Sequence, residues 1–266
     1  MKFFSLVFLR RLAPRAQRIV RLGLLCAALL PATGCPLHLL ELRLKALTHK
    51  DWMLFPIFKN NLMAQSVVGW LRGRTYGEGK VYRALLSATQ LLDQKYPGSR
   101  VAFLDVSGPM GESLEGHRSH HHGIDVDILY LARDGRGHLY PRYPALLSAG
   151  YGLKYGRDRR HEDLRFDTAR NWALIQALRA NKADPVELIF VQPYIKRWLI
   201  EEGRKEHASP DALDWAEERL CYAGDYAADH KDHMHVRFMN DKAPAGREPL
   251  PAKGNHRIMK PVNLNR

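Results

Sequence analysis

Cysteine is scarce: a chain of 266 residues holds three, Cys26, Cys35 and Cys221. That number cannot build the disulfide framework of a small secreted domain. Acidic residues are also in deficit, 28 against 41 Lys and Arg, for a net charge of +13. A surplus of that size suggests a nucleic-acid partner, but its location argues otherwise. Residues 1–34 carry six basic residues and no acid, and residues 240–266 carry six against Asp241 and Glu248. The body between them keeps a net charge of only +3, so no nucleic acid is expected as a partner. Internal repeats and low-complexity blocks are missing too, which excludes a repeat array. The apolar run Leu22–Leu30 is too short to span a bilayer.

What is present points to an exported single domain. Apolar residues make up 45% of the chain, enough for one sizeable core. A basic start, a short apolar run and then Pro31-Ala32-Thr33-Gly34 describe a secretory leader over 1–34, with the periplasm as destination. Ala32-Thr33-Gly34-Cys35 resembles the lipobox of bacterial lipoproteins, although Ala32 stands where Leu is usual. That resemblance implies a lipid on Cys35 and membrane attachment. Pro36 follows, with no Asp there to signal inner-membrane retention, so an outer-membrane lipoprotein is expected. With Cys26 removed and Cys35 acylated, Cys221 is left alone, a small apolar residue expected in the core at a helix end. Residues 35–66 read as an N-terminal extension, 67–239 as the folded domain, and 240–266 as a basic, Pro-rich, flexible tail.

Within the domain, Val81, Leu85, Ala88 and Leu92 have helical spacing, and Pro97-Gly98 stops that helix. Val101–Val106 reads as a buried strand, and Ser107–His122 as a loop rich in Gly, Ser and His. Ile124–Tyr130 alternates like a strand. Asp167 caps a helix through Trp172 and Leu178, Val186–Val191 is a strand, and Pro193 opens another helix. Ser209-Pro210-Asp211 starts a helix expected to reach about Tyr222, and Met234–Phe238 is a last short strand. Mixed elements without a regular βαβ rhythm predict an α+β domain, with a mainly antiparallel central sheet and flanking helices.

Two clusters carry the chemistry. In Gly116-His-Arg-Ser-His-His-His-Gly-Ile-Asp-Val-Asp-Ile128, the strand alternation puts Ile124, Val126 and Ile128 on one side. Asp125 and Asp127 then share the other side, which is expected to be an open sheet face. Gly123 allows a sharp turn, so a loop His can approach a strand carboxylate. In Asp229-His-Lys-Asp-His-Met-His-Val-Arg-Phe238, His233, His235 and Arg237 share a face. A single His is ordinarily a core or surface residue, and the triplet 120–122 alone could bind metal adventitiously. Two strands that each line donors on one side are harder to explain blandly. Three His and Asp donors suit zinc, with a fourth position left for a water that ionises near neutral pH. Spacing alone does not choose between His233 and His235.

These residues resemble the group of lysostaphin, the D-Ala-D-Ala metallopeptidases and hedgehog, and more closely the penicillin-insensitive murein endopeptidases. The likeness rests on Asp105-Val-Ser-Gly-Pro-Met-Gly111, Gly-His-Arg-Ser-His120, Gly-Ile-Asp-Val-Asp-Ile128 and the His230-x-x-His233-x-His235-Val-Arg segment, and it extends loosely from Val67 to Phe238. It implies zinc ligands at His120, Asp127 and His235, with His117 as a further candidate. It implies His233 as the unligated active-site His, a base for water or a stabiliser of charge, with His230 as helper. Peptidoglycan is the implied substrate, cut by a zinc-activated water at the D-Ala to diaminopimelate amide. A D,D-carboxypeptidase and a non-catalytic zinc-containing envelope module are the alternatives. The chain departs from the family in lacking its disulfide cysteines. Asp167-Thr-Ala-Arg170 also carries Arg where the segment helping a second metal has His, so one zinc is expected.

Overall fold

The computed structural model describes residues 51–240, apart from 113, 115, 116, 118, 121, 142, 146–150, 184 and 225–228. The expected leader, Cys35 and nearly all of the tail lie outside the described residues. In chain order the elements are β1 (Trp52–Leu54), β2 (Phe58–Lys59), β3 (Leu62–Ala64), α1 (Val67–Leu71), β4 (Tyr76–Glu78) and α2 (Gly79–Lys95). There follow β5 (Val101–Phe103), β6 (Asp125–Leu129), β7 (Ala132–Arg133), β8 (Leu139–Tyr140), β9 (Arg160–His161), β10 (Leu164–Phe166) and α3 (Thr168–Ala180). The series ends with β11 (Val186–Phe190), α4 (Pro193–Lys205), α5 (Pro210–Arg219), β12 (Leu220–Cys221) and β13 (His233–Phe238).

The fold is α+β. A seven-stranded sheet runs β12-β11-β13-β6-β5-β3-β2, mostly antiparallel, with parallel pairing only at β3–β5 and β11–β12. A four-stranded sheet (β8-β7-β10-β9) and the β1–β4 pair complete it. The helices obey local rules. Asp167 caps α3 by accepting from the Arg170 amide, and Ser209 caps α5 by accepting from Ala212. The Val81, Leu85, Ala88, Leu92 stripe of α2 is buried, and α2, α3, α4 and α5 pack in series. The main core joins this layer to one sheet face through Phe103, Val126, Ile128, Trp172, Ile189 and Val236. Among the described residues no helix is long and apolar enough to cross a membrane.

Three expectations need correction. The last helix ends at Arg219, because Leu220 turns extended and Leu220–Cys221 pairs beside Ile189–Phe190. Cys221 is accordingly a half-buried strand residue, not a core residue at a helix end. The second sheet face is also not open. Met63, Ala102, Leu104 and Leu129 form a small apolar cluster on it, packed against Tyr140 and Leu153. Asp125 and Asp127, on the same face as Leu129, are each 1% exposed.

Candidate metal centre

Strand register builds most of the site. β6 and β13 pair so that His235 lies opposite Asp127, and Arg237 opposite Asp125. Cross-strand partners share a face, so each pair is in contact without help from a loop. His120 is supplied by the chain before β6, which doubles back in left-handed backbone at His120 (φ 62°), His122 (φ 67°) and Gly123 (φ 66°). A Cβ at Gly123 would come within 2.6 Å of the Trp52 ring and 2.7 Å of the Gly77 Cα, so only glycine fits. The left-handed backbone at His120 costs roughly 1–2 kcal/mol, and strain of this kind concentrates at functional sites.

Three atoms converge. His235 Nδ1 is 2.9 Å from Asp127 Oδ1 and 3.1 Å from His120 Nε2, and His120 Nε2 is 3.1 Å from Asp127 Oδ1. Their far sides are tied. His120 Nδ1 donates to the Val106 carbonyl (3.1 Å), and His235 Nε2 donates to Asp125 Oδ1 (3.0 Å). Arg237 holds Asp125 through Nε at 2.7 Å. With those protons committed outward, three lone pairs face one another and call for a positive charge between them. The donors fit a metal: tetrahedral zinc with bonds near 2.0–2.1 Å sets its ligand atoms about 3.3 Å apart. Without an ion the charge is a proton. Burial opposes it, but hydrogen bonds to Asp125 and Asp127 raise the His235 pKa to about 9. Burial likewise favours protonation of Asp127, yet its electrostatic interactions with His120 and His233 hold it well below the usual carboxylate range.

His233 faces the same point, its Nε2 3.6 Å from Asp127 Oδ1. Its Nδ1 lies 2.6 Å from Asp232 Oδ1, which fixes the ring. Burial lowers its affinity for a proton, but the charge of Asp127 and then the hydrogen bond to Asp232 raise it above the ordinary value. His230 sits behind His233, its ring centroid 5.1 Å away, against Phe190. Burial, reinforced by the charges of His233 and His235, lowers its pKa to about 3 and keeps it neutral. His117, His120 and Asp127 also offer ligand atoms within 4.8 Å of one another. The His120, Asp127 and His235 atoms stand closer to one another, at 2.9–3.1 Å, while His117 Nε2 is 3.2 Å from Asp105 Oδ2. Asp167 and Arg170 pair with each other at 2.8 Å, Asp167 also with Arg133 and Arg170 with Ser99, as part of the α3 cap.

Four further side chains line the cluster without a sequence pattern that assigns them a role. Asp232 stands directly before His233, and that adjacency was the available signal. Asp105 opens the Asp-Val-Ser-Gly-Pro-Met-Gly111 segment, and Arg74 grips it at 2.7 and 2.6 Å. Burial would raise its pKa, but Arg74 and His117 hold it well below the ordinary value. Tyr151 reaches Asp105 and Asp127 from a distant loop, and no spacing in the sequence announces it.

The arrangement defines a class: a small α+β protein with a buried His/Asp cluster able to hold a metal ion. A family model, that of the penicillin-insensitive murein endopeptidases, matches residues 63–251, more than half of the chain and every strand that carries the cluster. The chain belongs to the penicillin-insensitive murein endopeptidase family. Among curated proteins, none matches it.

Proposed function

We propose that this chain is a zinc-dependent murein endopeptidase that hydrolyses peptide cross-links of peptidoglycan, with the D-Ala to diaminopimelate amide as its bond. The observation that carries this reading is the trio His120 Nε2, Asp127 Oδ1 and His235 Nδ1, mutually 2.9–3.1 Å apart with their outer atoms tied. A zinc ion held there supplies a Lewis acid for the scissile carbonyl and lowers the pKa of water. The remaining work falls to side chains. His233 Nε2 takes the proton from the attacking water and delivers it to the leaving amine. Asp232 holds the Nδ1–H, so the ring presents a fixed nitrogen and its charged form is stabilised. Protonated His233 then faces the developing oxyanion. His230 backs the ring and, being neutral, adds no positive charge that would repel protonated His233.

Purified sacculi digested with the zinc-loaded protein should yield uncross-linked muropeptides, identified by mass spectrometry. Release of terminal D-Ala alone would make the protein a carboxypeptidase. Zinc and peptidoglycan binding with no product from any sacculus would make it a binding module.

A further inference from the structure

The Tyr151 hydroxyl touches two carboxylates, at 2.6 Å from Asp127 Oδ2 and 2.8 Å from Asp105 Oδ2. A phenol has one proton, so it can donate to only one of them at a time. Asp105 is already served by both arms of Arg74 and by His117. Among the described residues it is Tyr151 that meets Asp127 Oδ2, and this is the shorter of its two contacts, so the proton belongs there. The two oxygens of Asp127 are thereby given separate tasks: Oδ1 faces His120 and His235, and Oδ2 is occupied by the phenol.

The rest of Tyr151 is held just as firmly. Its ring lies edge-on to His233 at 5.2 Å and tilted against His117 at 6.2 Å, forming a wall between them. The next amide, Gly152 N, donates to Asp232 Oδ2 at 2.6 Å, while Asp232 Oδ1 holds His233. One carboxylate thus fixes both the loop that carries Tyr151 and the ring proposed as the base.

We propose that Tyr151 is a positioning residue that keeps Asp127 a one-oxygen ligand, so that the metal retains an open coordination position beside His233. The inference rests on the zinc reading above. If Oδ2 were free it would swing toward the ion, add a fourth protein oxygen or nitrogen, and close the position that a catalytic site leaves open.

The test is Tyr151→Phe, which keeps the ring and removes the hydroxyl, with Co²⁺ as the spectroscopic probe and zinc affinity measured against a competing chelator. Far-UV circular dichroism checks that the variant is folded. Y151F should shift the Co²⁺ visible bands toward those of a higher-coordinate ion. Zinc affinity should change by about 10- to 100-fold, the scale for losing a hydrogen bond to a ligand, and the loss of activity should appear in kcat rather than KM. A wild-type Co²⁺ spectrum with zinc affinity within about twofold, by the same yardstick, would overturn the role of Tyr151. Failure of the wild type to take up zinc or Co²⁺ at all would instead overturn the metal reading, and this inference with it.

Discussion

On the proposed reading, side chains on one strand face divide the work between holding and reacting, and substitution separates the two. His235→Ala and Asp127→Ala each remove a converging donor, so both zinc content and hydrolysis should fall. His233→Ala leaves the three donors in place, so zinc should stay while turnover drops roughly 10²-fold or more, the scale for losing an acid–base group. Elemental analysis of untagged protein, paired with muropeptide release, checks this. Zinc lost from His233→Ala but kept in His235→Ala would reverse the two roles. At this scale the sequence was informative where donors alternate along a strand: Asp127 and His235 lie in register because β6 and β13 do. It was silent on Tyr151 and Arg74, which arrive across long chain separations from segments whose own spacing carries no pattern.

At the level of elements, three helices meet at Gly203 of α4. A Cβ there would lie 2.5 Å from the Trp172 ring of α3 and 2.9 Å from Leu213 of α5. Ala is the better helix former by about 1 kcal/mol, but overpacking a filled core costs about 1–3 kcal/mol. The clash should win, and Gly203→Ala should lower the melting temperature by a few degrees in a thermal scan; an increase would show that Trp172 can move aside. The capped helices were legible because their signals are local: Asp167, Ser209 and the Pro97-Gly98 stop all act within a turn. β12 was not, since two residues become a strand only by pairing with β11. The cover over the second sheet face was equally invisible, because Tyr140 and Leu153 reach it from a stretch of two-residue strands and turns.

For the molecule as a whole, the cluster shapes the stability of the metal-free protein against pH. His235 has a folded pKa of about 9 against an ordinary 6.5, so its contribution is complete below about 6.5 and lost as pH climbs through 9. His230 works the other way. Its folded pKa of about 3 means that only the unfolded chain takes up its proton between 6.5 and 3, so stability declines as pH falls through that range. The metal-free protein should therefore show its highest melting temperature near pH 6.5 insofar as these groups govern it. Added zinc should lift the alkaline side most, because the ion replaces the proton on His235. Melting curves from pH 4 to 9 with chelator and with zinc test this, and a metal-free maximum at pH 9 would contradict it. The β6–β13 pairing has one more consequence. Shift that pairing by a single residue and Val236, not His235, stands opposite Asp127. A sheet zipped one residue out would part the Asp127 and His235 donors, so on the proposed zinc reading metal uptake reports whether these two strands are correctly paired.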